Sequence, residues 1–580
     1  MEGPLPRYRW ELRDRPLLDP GFLAAGRARG LSDRLLGVLA ARGHADAHAL
    51  IAFLDEPAAG LHDPRLLPDA EIFVARVRLA AERGERVLVL GDFDADGLTG
   101  LAIIVHALRR LGLAVEPYVP SRGDEGHGLS LAAVARAEAL GCRLIVTVDC
   151  GSSSAAEAQA AAVAGIDVLI TDHHQLPIQP PAVAALVNPQ RVDSKYPERT
   201  LAGSGVAFKL AQLLLGDEAL ELVDLAAVGT VADVAPVVGE NRSIVRLGLE
   251  RLSRSPRAGL AALFERARLS PERLDLDRLA FAVAPRLNAV GRVGHGGPAA
   301  QLLLTDDPAE AAELADQLEA ANVLRRELLA AALAEARQVA AEQSDAPVTI
   351  VRGGWPVGII GLIAGRLADE RGLPAVVFST AAEPWRGSAR SAGGFDLGAA
   401  FVALGDLLPR HGGHAAAAGC DLPAGSYDVF RQRLAGLAEG LVAAAPRLTL
   451  DLVLSAAEVD YGLLHELALF EPAGMGNPTP LVGIEGLQLV RARPASGGHT
   501  QLVLRKGREV LDGICFGRDD LAGVLREGDR LDLVARLASR TFGGFETLQL
   551  EVRDVGPAGS LGRLAGTQHL PPEPQPALVA

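Results

Sequence analysis

A chain of 580 residues is too long for a single ordinary core, so several domains are expected. With 49% apolar and 22% charged residues it is not a disordered polymer, and no apolar run reaches the roughly 20 residues that span a bilayer. The formal net charge of −15 argues mildly against a nucleic-acid partner, because phosphate contacts need positive charge, but it does not say where the charges sit.

The N-terminus, MEGPLPRYRWELRDRP, lacks the apolar segment of a signal peptide. The four cysteines (Cys142, Cys150, Cys420, Cys515) are scattered and form no CxxC pair. That argues against a disulfide framework and a cysteine-bound structural zinc, and a cytoplasmic protein is expected. Only Lys195, Lys209 and Lys506 are lysines. Arginine suits bidentate phosphate recognition, and it is equally the usual lysine replacement in a chain rich in Ala, Gly and Leu.

Residues 1–72 read as a helical leader, expected to pack on the catalytic domain, ending in the Pro- and Asp-punctuated LHDPRLLPDAE. Between 73 and 305 the pattern changes. RVLVL (86–90), RLIVTV (143–148) and DVLI (167–170) are short apolar runs rich in β-branched residues, the mark of strands buried on both faces of a parallel sheet. Ala-rich helical segments such as 98–111 and 153–164 lie between them, which predicts a doubly wound α/β domain.

The segment 306–345 reads as one long connecting helix with Asp307 as N-cap, Pro308 at the first helical position and Glu310 completing a capping box. A second α/β unit follows at 346–446, with strands near 347–351 and 375–378. Residues 447–556 alternate like an antiparallel barrel, with TFGGFE (541–546) as a two-residue hairpin. The Pro-rich tail 557–580 reads as disordered.

The chemistry sits where strands end. RVLVL runs into GDFDADG, giving Asp92, Asp94 and Asp96; RLIVTV runs into DCGSSS, giving Asp149; DVLI runs into TDHHQLP, giving Asp172, His173 and His174. Asp233 follows a helical stretch in DLAAVGTVADVAP. In parallel sheets ligands bind outside the carboxyl ends of the strands, so these groups converge. Converging carboxylates repel unless a cation neutralises them, and mixed carboxylate and imidazole donors suit Mn²⁺, Mg²⁺ or Zn²⁺. A lone D-x-D-x-D is often a solvated turn, and a Ca²⁺ loop of the EF-hand type fails for want of a Glu twelve positions from Asp92. Three independent strands ending this way point to a metal site. Ser152–Ser154 read as caps of the following helix.

GDFDADG, VDCG and TDHH, in that order and spacing, resemble the DHH phosphoesterase superfamily. Within it nearly all of residues 1–555 resembles the RecJ family of single-stranded-DNA exonucleases, further segments being SRGDEGHGLS (121–130), GSGVAFKL (203–210), GTVADVAP (229–236), PRLNAVGR (285–292) and GGHAAAAG (412–419). The resemblance implies an α/β fold: a parallel-sheet DHH domain joined by the long helix to a second α/β (DHH-associated) domain, then an all-β OB-like barrel. It implies Asp94, Asp96, Asp149, His173 and Asp233 as metal ligands, Asp149 bridging two Mn²⁺ or Mg²⁺ ions, and His174 on the scissile phosphate. Asp92 also stands in the first motif, without a defined role from the resemblance.

The implied reaction releases 5′-mononucleotides from a 5′ end, two ions about 4 Å apart activating water and stabilising the leaving oxygen. Ser388 and Arg390 of WRGSARSAGG, with Arg122, would anchor the terminal phosphate. Arg286, Asn288, Arg292 and His414 would hold the backbone near the cut. Arg491, Arg493, Arg505, Lys506 and Arg508 of the barrel would track the strand while Phe542 or Phe545 stacks on bases. A single-stranded-DNA-binding protein, a helicase and a monomeric state are further implications. One departure stands out: a histidine that commonly opens the first motif is Leu90 here, so one tight and one weak ion site are expected. The rival readings are a phosphodiesterase on oligoribonucleotides or cyclic dinucleotides from the same superfamily, and a catalytically silent DNA-binding scaffold.

Overall fold

The structure, a computed structural model, describes residues 6–565 apart from 56, 124, 344, 444, 445, 543 and 544. Two compact units divide the chain: one holds Glu56–Ala444 with Gly474–Gly476, the other Met1–Asp55, Ala445–Ala473 and Asn477–Ala580.

In the first unit five strands form an all-parallel sheet in the order Ala114–Tyr118, Arg86–Gly91, Leu144–Val148, Asp167–Thr171, Ala185–Val187. The alternation of a strand places Val87 and Val89 in one core and Leu88 and Leu90 in the other, so both faces are covered and the apolar runs are explained. The chain order reverses between Arg86–Gly91 and Leu144–Val148. That reversal is the topological switch point of an open α/β sheet, where a crevice forms at the carboxyl ends. The two outer strands, Ala114–Tyr118 and Ala185–Val187, carry weaker apolar signals and are additions to the elements read from sequence.

The long helix runs Pro308–Ala341, 34 residues or about 51 Å. Its first half gives Ala311, Leu314, Ala315 and Leu318 to the core of the parallel-sheet domain, and its second half gives Ala332, Leu333, Ala336 and Ala340 to the next domain. Asp307 caps it through Ala309 N–H at 2.9 Å. The expected capping box does not form, because Glu310 instead accepts from Gln301 and from the Thr305 hydroxyl.

The second domain is a five-stranded mixed sheet, ordered Arg410–Gly413, Ala417–Leu422, Trp385–Arg390, Ala375–Ser379, Thr349–Gly353. Only the last pair is parallel. The Gly- and Ser-rich WRGSARSAGG therefore supplies a central strand rather than a loop. Gly387 is required there: a Cβ would stand 2.6 Å from Phe378 Cε1 and 2.8 Å from Cys420 Sγ.

In the other unit, strands Val482–Ala495, His499–Lys506, Glu509–Cys515, Phe545–Pro557 and Arg530–Phe542 follow one another, and the last pairs back to the first with Val482 opposite Ala535. The result is a closed five-stranded barrel. The 541–546 hairpin is seen in the pairing of Phe542 with Phe545; its turn glycines and the side chains of both phenylalanines lie outside the described residues.

Two expectations are corrected here. The leader is divided: Phe22, Leu35, Leu36, Leu39 and Leu50 are buried with the barrel's Leu452, Ile484 and Leu533, Arg9–Leu12 forms a strand beside Arg447–Leu450, and the end of the leader stays with the catalytic domain, where Leu67 and Ala70 are buried. Each such buried side chain contributes about 1.5–3 kcal/mol, a long-range preference invisible to local pattern. Nor is the tail unstructured from 557, since Leu561 is fully buried with Trp10, Leu450 and Val534. Residues 566–580 lie outside the described part.

Candidate active site

At the switch point the loop after Arg86–Gly91 and the loop after Leu144–Val148 face each other. Asp94 is the N-cap of helix Ala95–Arg110, its Oδ1 accepting Asp96 N–H and Gly97 N–H, both at 3.1 Å. Asp96 is gripped by the first turn of helix Gly203–Leu215: Gly203 N–H donates to Oδ2 at 2.6 Å and Ser204 N–H to Oδ1 at 2.9 Å. This is the physical task of the GSGVAFKL segment, which sequence reasoning left without a role. Gly203 must lack a Cβ, which would stand 2.6 Å from Asp149 Oδ1.

Asp149 is 2% exposed and takes the left-handed conformation with φ 62°, uncommon for a side chain other than glycine and typical of functional turns. Its Oδ1 accepts no hydrogen bond. His173 Nε2 stands 3.1 Å from that oxygen, while His173 Nδ1 lies 3.9 Å from Asp233 Oδ2. Asp233 closes helix Val223–Ala232 as its C-cap. His174 Nδ1 is bound to Asp172 Oδ1 at 2.7 Å. Asp172 also accepts His173 N–H and Ser152 N–H, so it orients the histidine pair. From the sequence Asp172 is one of the converging strand-end groups without a task of its own, and His127, whose Nδ1 is 3.1 Å from Asp92 Oδ1, receives no role although it lies in a quoted motif.

Among the described residues three sets of donor atoms lie within 4.8 Å of one another: Asp149–His173–His174, Asp96–His173–Asp233, and Asp92–Asp94–Asp149. Asp149 belongs to two of them and Asp92 joins the third. Electrostatics agree with a cation site. Burial, then repulsion from Asp92 and Asp96, pushes Asp94 up to about 6. Burial, then Asp96, raises Asp233 to about 7, and burial with four neighbouring carboxylates lifts Asp149 well above the carboxylate range. Asp172 goes the other way, because the His174 hydrogen bond and charge outweigh its burial. The donor set fits Mn²⁺ or Mg²⁺: oxygen-rich with one or two imidazoles, and two buried carboxylate oxygens, on Asp92 and Asp149, that accept no hydrogen bond.

A cleft of about 680 Å³ adjoins this centre, walled by Phe93, Asp94, Arg122 and Arg292 from the first domain and by Ser388 and Arg390 from the second. The Arg122 guanidinium lies 3.8 Å over the Phe93 ring and its buried Nε has no hydrogen-bond partner. Burial, then the neighbouring Arg122 and Arg325, depresses Arg292 to about 10, and burial lowers Arg390. Cations crowded in this way favour an anion. Gly361 packs beneath them, where a Cβ would meet Ser388 Oγ at 3.1 Å and Arg390 Nη2 at 3.3 Å.

The other residues singled out from the sequence are distributed differently. Asn288 lines the cleft, but its Oδ1 accepts Ala95 N–H at 2.7 Å and so fixes the motif loop. Arg286 is paired with Glu319 at 2.5 Å and is not among the cleft's lining residues. His414 lies with Ser152 and His174 in a neighbouring cavity of about 840 Å³. The expected serine cap is absent: Ser154 makes no cap bond, and its Oγ accepts Leu129 N–H at 3.1 Å instead. In the barrel, Arg493 bonds Gln501, Arg505 bonds Gln488 and Lys506 reaches the Glu485 carbonyl.

Comparisons with known proteins agree with this geometry. Residues 86–230 match the DHH family, N-terminal domain, residues 345–440 the DHHA1 domain, and residues 450–554 the RecJ OB domain. The chain is 34% identical over 564 residues to the single-stranded-DNA-specific exonuclease RecJ of Bacillus subtilis, covering 95% of this chain and 71% of that protein. It is 34% identical over 512 residues to RecJ of Escherichia coli, covering 82% and 88%. The crystal structure of RecJ from Thermus thermophilus in complex with Mn²⁺ superposes with a TM-score of 0.81 at 30% identity, over 95% of this chain and 79% of that one; the Mg²⁺ complex gives 0.76 at 29% identity, over 95% and 78%. These similarities extend over most of the chain. The chain belongs to the RecJ family of single-stranded-DNA-specific exonucleases.

Proposed function

We propose that this protein is a metal-dependent exonuclease that degrades single-stranded DNA in the 5′-to-3′ direction to 5′-mononucleotides, in DNA recombination and repair. The observation that carries the reading is the placement of Asp149: a buried carboxylate shared between donor clusters, next to a cleft lined by arginines from two domains. Bound Mn²⁺ or Mg²⁺ ions would supply an activated water and charge neutralisation at the phosphodiester. Asp96, Asp149, His173 and Asp233 are assigned to the tighter ion, and Asp92, Asp94 and Asp149 to the weaker one.

The protein's own groups perform the rest. Asp172 holds His174 by Nδ1, which leaves the opposite ring nitrogen of this half-exposed histidine to face the scissile phosphate. Arg122, Ser388 and Arg390 receive the terminal phosphate, and Arg292 with His414 steadies the backbone. The barrel's Arg491, Arg493, Arg505, Lys506 and Arg508 follow the incoming strand. The partners that accompany this reading are a single-stranded-DNA-binding protein and a helicase, with a monomeric enzyme in the cytoplasm. Among the described residues no helix is long and apolar enough to cross a membrane.

A time course on single-stranded DNA labelled at its 5′ end tests the reading. Labelled mononucleotide should dominate from the earliest points, whereas a dinucleotide-only preference or binding without cleavage overturns it. The same assay with 5′-phosphate and 5′-hydroxyl ends tests the anchor. Arg390→Ala should reduce the preference for the phosphorylated end about tenfold or more, the worth of one charge-assisted contact. Unchanged discrimination would remove Arg390 from the pocket.

A further inference from the structure

Leu90 cannot serve the metal centre, because it is fully buried among Leu88, Leu129, Ala133 and Ile145. The cluster built on the same loop nevertheless contains a third carboxylate, Asp92, whose donor atom lies within 4.8 Å of those of Asp94 and Asp149. Asp92 is 3% exposed, and its Oδ1 accepts no hydrogen bond. The His127 ring nitrogen Nδ1 stands 3.1 Å from that oxygen, off the line of a hydrogen bond. Elsewhere in the centre the Asp149 Oδ1 and His173 Nε2 pair shows the same signature, again at 3.1 Å and without a hydrogen bond on the oxygen.

The loop that delivers His127 is held at several points. Glu125 accepts the Tyr118 hydroxyl and Ser121 N–H, both at 2.9 Å, and Leu129 N–H donates to Ser154 Oγ at 3.1 Å. Gly126 and Gly128 flank the histidine at φ 80° and 106°, values that glycine alone adopts freely, and a Cβ on Gly128 would meet Ser154 Oγ at 2.9 Å. The ring stands edge-on to His174, 5.0 Å between centroids, and 46% of the side chain is exposed where two cavities meet.

We propose that His127 takes over the task of the histidine missing at position 90, as a positioning residue that holds the Asp92 carboxylate toward Asp94 and Asp149 and so secures the weaker ion. A carboxylate ligand with a fixed outer partner presents a chosen oxygen to the metal, and removing such partners costs 10–100-fold in affinity as an order of magnitude. At 3.1 Å the ring nitrogen is already within hydrogen-bond distance of that oxygen, so a hydrogen bond needs a change of angle and not of separation. The inference rests on the reading of Asp92, Asp94 and Asp149 as a metal subsite.

The test is calorimetric titration of the full chain with Mn²⁺, without DNA. The wild-type protein should show two unequal classes of site. His127→Ala should weaken the weaker class about tenfold or more and leave the tighter one unchanged. His127→Asn, which keeps a nitrogen donor at similar reach, should restore most of that loss. Asp92→Asn should weaken the same class, and adding His127→Ala to it should weaken it no further, because the histidine acts through Asp92. The proposal is overturned if His127→Ala leaves the weaker class intact while Asp92→Asn weakens it, or if the two losses add in full. If Asp92→Asn also changes nothing, the subsite reading itself fails and takes the proposal with it.

Discussion

Asp149→Asn is expected to slow mononucleotide release by about 10³-fold or more while raising the melting temperature of the metal-free protein. The opposite signs have one origin. Asp149 is buried among Asp92, Asp94, Asp96 and Asp172, so without a cation its charge costs stability, and with one it is the shared ligand. Asparagine is the right replacement because it tolerates the left-handed backbone at φ 62° better than alanine does. Single-turnover rates and melting curves with chelator and with Mn²⁺ check both halves. The metal-free melt should rise by several degrees, and the increase on adding Mn²⁺ should shrink. A lower metal-free melt would mean that Asp149 serves the fold rather than the ions.

The second large effect is a loss of metal-free stability as pH rises. Asp94 and Asp233 are raised to about 6 and about 7, and Asp149 is raised well above its ordinary value. Below pH of about 4 these groups are protonated in both states and cost nothing. Above that, the unfolded chain releases protons that the folded chain still holds, so folding weakens as pH rises through the folded values of Asp94 and Asp233, about 6 and about 7, with Asp149 acting in the same direction. His173 and His174, both raised, act in the same direction above pH of about 6.5, since their stabilising charge is lost as pH rises through the folded values. Asp172 is lowered and stays ionised throughout, so it does not cancel the trend. Between pH 5.5 and 8 the chelated protein should lose roughly 5–10 °C in Tm, and saturating Mn²⁺ should flatten the curve because the ions displace the protons. A chelated protein whose Tm is level or climbs over that window would contradict the assigned repulsion.

The parts of this site that were legible in the sequence share a cause. A strand buried on both faces must be short and apolar, so GDFDADG, DCG and TDHH stand out at the ends of Arg86–Gly91, Leu144–Val148 and Asp167–Thr171, and parallel order brings those ends together. What was not legible depends on contacts between distant residues. Trp385–Arg390 looks like a Gly/Ser loop until Phe378 and Cys420 are seen packing on Gly387. Ser154 looks like a helix cap until its hydroxyl is found holding the 121–130 loop. The contact of His127 with Asp92 spans two strand-end loops, and no local pattern reports it. Net charge misled in the same way: −15 over the chain coexists with a cleft that gathers Arg122, Arg292 and Arg390. The leader's alliance with the barrel likewise joins segments some 400 residues apart.

The most direct test of the central claim is the release of labelled mononucleotide by protein stripped exhaustively with chelator, measured before and after Mn²⁺ is returned. Asp94, Asp96, Asp149, His173 and Asp233 are taken to act by gathering cations, so the stripped enzyme should release none and the reconstituted enzyme should recover its full rate. Undiminished release from the stripped protein, or from a variant lacking both Asp149 and His173, would contradict the account.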